Sequence, residues 1–459
     1  MGSLGTNEAI NGGTNGGTAS TVQKASGTTG RAWRFDTLQV HAGLEKCPVY
    51  GQCTLPVYNS ASFKFESSAV ADRAFTALDK YVYSRIQNPS NSGFERRMAA
   101  LEDGVSALSF SCGASAVLAV VMTLARAGDN VIVSCHTHAG TFHQFKVVLS
   151  QMGIESRFCD TNDVAQVRKL IDGKTKMIFT ESLGNPKLSV PDLEPLAAVA
   201  HGAQMPLVVD ATFTAGGYFC QPARWGADII IHSATKWIGG HGTTLGGVVI
   251  ETGRSDWQAN VERFPQLHGL RPGREGIDDS AYAAVGNGAF IQFLQWDVLR
   301  DTGACLSPAA AQQLFIGVET LSLRCARQAA NAAALAAWLR AHPRVAWVRY
   351  LGFEDHPYHH LARKYFQRGF GTVLTFGPKG GAAEGLRLID AFRLVINTAN
   401  VGDAKTIIGH HWSTTHKQCT AEENEAIGVY EDLFRLSLGI EDIQDIIADF
   451  EQAFDRVSP

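Results

Sequence analysis

The chain has neither closely spaced cysteines nor a long hydrophobic run, and each absence excludes a class of protein. Its nine cysteines occur singly among 459 residues, with no Cys-x-x-Cys pair, so neither a disulfide framework nor a cysteine-rich zinc site is predicted. No apolar stretch approaches the roughly 20 residues that a membrane-spanning helix needs. The formal net charge of -4 provides no strong positive field. We therefore expect no nucleic-acid or membrane partner, and free thiols in a reducing, cytoplasmic compartment.

The amino-terminal part differs in composition from the rest of the chain. Residues 1–31 are rich in Gly, Thr, Asn and Ser and contain almost no large apolar side chains, which predicts a disordered tail. A targeting helix would be rich in arginine, yet the first arginine is Arg31 and the acidic Glu8 precedes it. Residues 32–93 contain turns and short apolar pieces, and we interpret them as an extended arm.

Strand-like and helix-like segments alternate along the middle of the chain. Strands are predicted at 131–133, 177–180, 207–210 and 229–231, and helices at 114–126, 164–171 and 195–201. This alternation predicts an α/β fold with a mostly parallel sheet between helices, here over residues 94–300. A smaller α+β domain is predicted over 301–459, from a helical stretch at 309–341, strands at 345–348 and 373–376, and a closing helix at 443–457.

A lysine follows the predicted strand 229–231 directly, in a Ser-Ala-Thr-Lys segment that ends at Lys236. Ligands of parallel sheets bind at the carboxyl ends of strands. The Lys236 amine can form a Schiff base with an aldehyde, while Ser233 and Thr235 can donate hydrogen bonds to a phosphate. Asp210 ends another predicted strand and can pair with a protonated pyridine nitrogen. Together these groups predict pyridoxal 5′-phosphate (PLP) as the cofactor, although the segment alone is also typical of a solvated helix surface.

Further motifs occur in order along the chain. They are Tyr83-Ser84-Arg85-Ile86-Gln87-Asn88-Pro89, Ser111-Cys112-Gly113, Glu181-Ser182-x-x-Asn185-Pro186, Asp210-Ala211-Thr212-Phe213 and Arg435-Leu436-Ser437-Leu438-Gly439. With the Lys236 segment, they make the chain resemble the PLP-dependent enzymes of Cys/Met metabolism. The segments 299–308 and 400–406 are most similar to the O-acetylhomoserine sulfhydrylase branch. The resemblance implies a large domain like that of aspartate aminotransferase, with a mostly parallel seven-stranded sheet.

The resemblance also implies roles for the residues that bind the cofactor. Lys236 is expected to hold PLP covalently and then to move protons as the catalytic base. Asp210 is expected to keep the pyridine nitrogen protonated. The backbone N–H groups of Gly113 and Ala114 at a helix start suit the phosphate, and Asn185 is expected to bond the phenolic oxygen of the cofactor.

Other implied roles concern the substrate and the neighbouring subunit. Arg435 is expected to grip the carboxylate of an amino-acid substrate with its planar guanidinium, and Asn400 is placed beside the substrate. Tyr83 and Arg85 are expected to reach the phosphate of a neighbouring subunit. This implies a homo-oligomer, usually a dimer of dimers in the family.

Two departures from the family pattern bear on the substrate. His138 stands where the family usually has a tyrosine that stacks on the cofactor ring; it can act as a proton donor or acceptor, or only stack as a neutral imidazole. His411 and Trp412 replace a Pro-Ala pair near the substrate entrance. We expect this larger wall to favour γ-substitution of O-acetyl-L-homoserine by a carbon nucleophile, such as a β-keto acid or an enolised aldehyde, or by an amine. The alternatives are neutral drift in an ordinary sulfide- or methanethiol-using sulfhydrylase, and γ-elimination.

Other interpretations of the sequence have less support. The histidines at 410, 411 and 416, and those at 356, 359 and 360, lack the spacing of a metal site, so no metal is expected. The glycine-rich run from Gly240 to Gly246 is a poor dinucleotide fingerprint. A nicotinamide-dependent oxidoreductase and an inactive scaffold subunit nevertheless remain the rival classes.

Overall fold

The computed structural model describes residues 33–44, 50–76, 80–268, 286–417 and 420–457. The tail predicted at 1–31 lies outside the described residues. Within the described part, no helix combines the length and apolar character that crossing a bilayer requires.

A seven-stranded sheet forms the centre of the larger part of the molecule. Its strands are β1 Ser106–Phe110, β2 Asn130–Ser134, β3 Glu155–Cys159, β4 Thr175–Glu181, β5 Leu207–Asp210, β6 Ile229–Ser233 and β7 Gly247–Glu251. They lie in the order β1-β7-β6-β5-β4-β2-β3. The pairs from β6 through β5, β4 and β2 to β3 are parallel, and β7 is antiparallel to both β6 and β1. The predicted mostly parallel seven-stranded sheet is therefore confirmed.

Alternate side chains of the central strands enter separate hydrophobic cores. Ile178 and Ile230 belong to one buried cluster, whereas Phe179 and Ile231, one residue further along, belong to another. Successive side chains of a strand point to opposite faces, so both faces of this sheet are covered. Burial of each such side chain contributes about 1.5–3 kcal/mol, which explains why these strands read as continuous apolar runs.

Helices flank this sheet and precede it in the chain. The α-helices are Phe35–His41, Ser68–Thr76, Pro89–Leu101, Gly113–Leu124, Ala139–His143, Leu149–Gln151, Val164–Leu170, Leu193–Gly202, Ala289–Phe293 and Arg300–Thr302, with π-helical turns at Gln144–Val148 and Leu294–Leu299 and 3₁₀ turns at Thr212–Thr214, Pro222–Trp225, Pro265–His268 and Gly286–Gly288. Helix Pro89–Leu101 begins where Asn88 accepts a 2.9 Å hydrogen bond from the Ser90 N–H, with proline at the first helical position. This helix extends past residue 93, where the arm is predicted to end. The boundary of the arm therefore stays a prediction.

A five-stranded sheet forms the smaller carboxyl-terminal part. Its strands are β8 Val345–Arg349, β9 Val373–Pro378, β10 Ile396–Asn397, β11 Ile407–His410 and β12 Phe434–Ser437, in the order β10-β11-β12-β9-β8. Its helices are Pro308–Glu319, Leu321–Ala341, His359–Tyr365, Gly381–Ala391, Ala421–Ala426 and Ile443–Arg456. The stretch predicted as helical at 309–341 is thus two helices, which meet at Thr320. The predicted α+β character is confirmed.

Candidate active site

A cavity of about 480 Å³ opens at the carboxyl ends of three adjacent parallel strands, β4, β5 and β6. The last residue of each strand lines it: Glu181, Asp210 and Ser233. Asn400 and Arg435, from the part of the chain that builds the smaller sheet, also line this cavity. The location is the one expected for a ligand site of an open α/β sheet.

Lys236 reaches this cavity from the turn that follows β6. Its Nζ donates a 2.7 Å hydrogen bond to Oδ1 of Asn400. Burial, together with the positive charge of Arg435, lowers the pKa of the amine to about 8. A larger fraction of the amine is therefore neutral near pH 7 than for an exposed lysine, and only the neutral amine can attack an aldehyde.

Asp210 and Glu181 stand side by side at the ends of neighbouring strands, because the two residues are paired in the β4–β5 register. Thr212 donates to Oδ1 of Asp210 through its backbone N–H at 3.0 Å and its hydroxyl at 2.6 Å. Burial raises the pKa of both carboxyl groups, and the neighbouring Asp210 helps to raise that of Glu181 well above its usual range. The two donors from Thr212 oppose this rise for Asp210 and favour its charged form.

The start of helix Gly113–Leu124 meets the end of β6 at the cavity. A Cβ atom on Gly113 would lie 2.7 Å from Cβ of Ser233, so only glycine allows this close approach. Ala114 also lines the cavity, and the first N–H groups of a helix have no partner within the helix. The hydroxyl of Thr235 accepts from the Gly246 N–H at 3.0 Å. The result is a cradle of backbone N–H groups and hydroxyls that suits a phosphate.

Arg435 on β12 is buried and held by two acceptors. Its Nη1 donates to Oδ1 of Asn185 at 2.8 Å, and its Nη2 donates to the Asn400 carbonyl at 3.0 Å. No described residue accepts a hydrogen bond from its Nε. Burial lowers the pKa of Arg435 to about 9, so it remains a cation near pH 7. A buried, charged guanidinium among the lining residues suits a carboxylate.

Imidazoles form another part of the wall. His138 caps the helix Ala139–His143, and its Nδ1 accepts from the Gly140 N–H at 3.2 Å. The side chain is exposed in the open cavity, yet desolvation by the surrounding protein, together with Arg435 and Lys236, lowers its pKa to about 4, below the near-neutral value of an unperturbed imidazole. His411 also lines the cavity, is 3% exposed, and has no hydrogen-bond partner at Nδ1 among the described residues. Burial, followed by the charge of Arg435, lowers its pKa well below the usual range. Both rings are therefore neutral near pH 7.

Three residues singled out in the sequence do not line the cavity. Trp412 is half-buried and lies outside the lining, unlike its neighbour His411. Tyr83 is 42% exposed, and the Arg85 guanidinium lies 5.5 Å from the centre of its ring. Arg85 donates to the carbonyl of Arg300. The roles expected for Tyr83 and Arg85 in a neighbouring subunit stay predictions.

Glu181 was not predicted as a site residue, although it begins the motif Glu181-Ser182-x-x-Asn185-Pro186. The signal was present: Glu181 ends a buried strand, as Asp210 does, and parallel neighbours end at the same edge of the sheet. Phe213, which follows Thr212, also lines the cavity and was missed. An aromatic residue after a strand has no distinctive signal in a single sequence.

These residues fit PLP. A lysine of lowered pKa, a carboxylate whose charged form Thr212 favours, a phosphate cradle at Gly113 and a buried arginine occupy one cavity. The fold and the site together define a fold type I PLP-dependent enzyme. The family model described as Cys/Met metabolism PLP-dependent enzyme matches residues 36–455. The chain belongs to this family, and its cofactor is PLP.

Individual relatives match along almost the entire chain. Sulfhydrylase FUB7 of Fusarium oxysporum f. sp. lycopersici is 45% identical over 92% of this chain and 97% of its own length. The homocysteine/cysteine synthase of Saccharomyces cerevisiae is 44% identical over 92% and 98%. A crystal structure of a putative O-acetylhomoserine (thiol)-lyase from Campylobacter jejuni, containing N′-pyridoxyl-lysine-5′-monophosphate, superposes with a TM-score of 0.88. It is 32% identical and covers 92% of this chain and 100% of that one.

Proposed function

We propose that the protein catalyses γ-substitution of O-acetyl-L-homoserine, in which acetate leaves Cγ and a carbon or other bulky nucleophile takes its place. The observation that carries the second part is His411, a buried imidazole among the residues that line the cavity. Bound PLP supplies the electron sink for charge that develops on the substrate's Cα and Cβ.

The amino-acid half of the proposal rests on Arg435 and Lys236. Arg435 binds the substrate carboxylate with its guanidinium, which Asn185 and Asn400 keep in place. This orients the Cα–H bond towards Lys236, whose Nζ removes the Cα proton as the base. Asn400 holds both Lys236 and Arg435, so it links the base to the carboxylate site.

The choice of nucleophile rests on the cavity residue that lies beside Arg435. His411 directly follows β11, whose Gly409 is paired with Arg435 on β12. A neutral imidazole can exchange a hydrogen bond with an oxygen or nitrogen of a second substrate without adding charge. Sulfide does not need a hydrogen-bond partner of this kind, whereas the hydrogen bond would orient a carbonyl compound or an amine.

The alternative is sulfide or methanethiol as the nucleophile. The names of the relatives favour it: FUB7 is called a sulfhydrylase and the yeast protein a homocysteine/cysteine synthase. The same cavity residues would serve this reaction, since sulfide needs only space beside the substrate's Cγ. γ-Elimination would use the same groups without a nucleophile.

The experiment compares nucleophiles on purified holoenzyme. O-Acetyl-L-homoserine is supplied with sulfide, with a β-keto acid, with an aldehyde or with an amine, and the amino-acid products are quantified by mass spectrometry. We expect higher kcat/KM for a carbonyl compound or an amine than for sulfide. His411→Ala should lower the ratio of bulky-nucleophile to sulfide turnover about tenfold, which corresponds to one lost hydrogen bond.

Trp412→Ala is the matched control, because Trp412 is the neighbour of His411 but does not line the cavity. It should change that ratio less than twofold or so, as expected of a side chain without substrate contact. Sulfide turnover that greatly exceeds every other reaction in the wild type would overturn the choice of nucleophile. Absence of all γ-substitution would overturn the proposal as a whole.

We also propose that the protein is a cytoplasmic homo-oligomer, a dimer of dimers, in which Tyr83 and Arg85 complete a neighbouring subunit's site. The exposure of Tyr83, and a 64% exposed Leu245 on the cavity lining, support a covering partner. Mixing inactive Tyr83→Ala and Lys236→Ala proteins under subunit exchange should restore part of the activity. Without restoration, each site is built from one chain.

A further inference from the structure

Glu181 and Asp210 place two carboxyl groups at one end of the cavity. They end the neighbouring strands β4 and β5 in matched register, and both line the cavity. Glu181 is only 6% exposed. Two neighbouring carboxylates, one buried and one partly buried, rarely ionise together, because the second charge meets both desolvation and the repulsion of the first.

The hydrogen bonds decide which carboxyl group keeps the charge. Asp210 receives two donors from Thr212, one of them a hydroxyl at 2.6 Å. Among the described residues, Glu181 receives one hydrogen bond, from the His138 backbone N–H at 2.6 Å from its Oε1. Donors stabilise the charged form. Asp210 is therefore the anion, and the pyridine nitrogen expected beside it would reinforce that choice.

The single bond to Glu181 has a structural consequence. His138 is the N-cap residue of helix Ala139–His143, and its own ring accepts from the Gly140 N–H. Fixing the His138 backbone thus fixes where its imidazole stands on the cavity wall. A neutral carboxyl group can do this through its carbonyl oxygen without adding a second negative charge beneath the cofactor.

We propose that Glu181 is a positioning residue that remains a protonated carboxylic acid in the working enzyme, anchoring His138 while Asp210 alone carries the negative charge. This goes beyond the proposed reaction and does not depend on the nucleophile. The buried environment that raises the pKa of Glu181 well above its usual range is consistent with it.

Charged and titratable groups on the neighbouring elements surround the pair. His232, on β6, interacts with Asp210 and helps to lower its pKa. Lys236, after β6, and Arg435, on β12, line the same cavity. Neither cation forms an ion pair with Glu181 among the described residues, and neither changes the pKa of Glu181. Among the described residues, no cation is therefore paired with Glu181 in a way that would favour its ionised form.

The test compares wild-type holoenzyme with Glu181→Gln, which keeps the shape and the carbonyl acceptor. In the infrared difference spectrum at neutral pH, we expect the C=O stretch of one protonated carboxyl group to disappear in the variant. The pH midpoint of the cofactor's visible absorption band should stay within about 0.3 units of the wild-type value. Loss of carboxylate bands instead, or a midpoint lowered by about one unit, as expected when a nearby negative charge is removed, would refute protonation.

A second variant tests positioning separately. Glu181→Ala removes the acceptor for the His138 N–H, so the visible circular dichroism of the bound cofactor, which reports its asymmetric surroundings, should change in Glu181→Ala but not in Glu181→Gln. Thermal unfolding of the holoenzymes shows whether both variants are folded. If folded Glu181→Ala gives the wild-type dichroism, Glu181 does not position His138.

Discussion

Lys236 and Asn400 are joined by a 2.7 Å hydrogen bond from Nζ to Oδ1, across 164 residues of sequence. This contact ties the turn after β6 to the segment that also holds Arg435 through the Asn400 carbonyl. The Lys236 amine is thus oriented by a neutral acceptor. A neutral acceptor, unlike a carboxylate, does not favour the ammonium form strongly.

Replacing Asn400 by aspartate tests this arrangement. The new carboxylate would raise the pKa of Lys236 above its present value of about 8, so cofactor recapture by the apoenzyme should require higher pH. The rate of recapture needs the neutral amine and should therefore rise through a midpoint displaced upwards by about one unit. Stopped-flow absorbance over a pH series measures it. Asn400→Ala is the uncharged control, and an unshifted midpoint in Asn400→Asp would show that the carboxylate does not interact with the amine.

Arg435→Lys tests the carboxylate site. Lysine keeps the charge but cannot bond Asn185, Asn400 and a carboxylate in one plane. We expect kcat/KM for O-acetyl-L-homoserine to fall about 100-fold or more, equivalent to roughly 3 kcal/mol of lost charge-assisted bonding. The loss should appear in both KM and kcat, because Arg435 binds the substrate and also aligns its Cα–H bond with Lys236, while the cofactor spectrum stays unchanged. A loss below about threefold would remove Arg435 from substrate binding.

Substitution of His138 distinguishes a stacking role of its ring from a role in proton transfer. With a pKa of about 4, the ring is neutral throughout the range in which Lys236 titrates. His138→Phe should then retain kcat within about tenfold of the wild type, whereas His138→Ala, which also loses the flat surface, should lose more. Steady-state kinetics over a pH series is the measurement. A drop of 10²–10⁴-fold or so in His138→Phe would instead indicate general acid–base catalysis by the ring.

The pair of Glu102 and His232 supports the strand that leads to Lys236. Glu102 Oε1 lies 2.5 Å from His232 Nε2, and both side chains are fully buried. Glu102→Ala would leave His232 without this partner, so we expect about 3–5 kcal/mol lower free energy of unfolding. Urea denaturation of the holoenzyme measures the change. Asp355→Ala breaks the exposed pair with Arg340 and should cost about 0–1 kcal/mol; equal effects would contradict a special role for the buried pair.

The fold was largely predictable because its signals are local. Strands β2, β4, β5 and β6 are buried apolar runs, which predict a parallel sheet without knowledge of distant contacts. Strands β1, β3 and β7 were not predicted; in β3, the exposed Glu155 and the partly exposed Arg157 leave no continuous apolar run. The break at Thr320 was also missed, because the alanine-rich sequence on both sides is helical.

The site was predictable only in part. The resemblance pointed to Lys236, Asp210 and Arg435, and the structure places all three on one cavity. It could not show that Trp412 lies outside the lining while His411 lies within it, because that depends on the direction of the chain after β11. Nor could it show the matched register of Glu181 and Asp210, which arises from pairing between strands that are distant in sequence.

We expect Lys236 to hold the cofactor covalently at the end of β6. Borohydride reduction of the holoenzyme followed by proteolysis and mass spectrometry tests it most directly, since reduction makes the link to the lysine permanent. We predict a pyridoxyl phosphate adduct on the peptide that contains Lys236, and loss of this adduct in Lys236→Ala. An adduct on a different lysine, or a reduced protein without any adduct, would contradict the account.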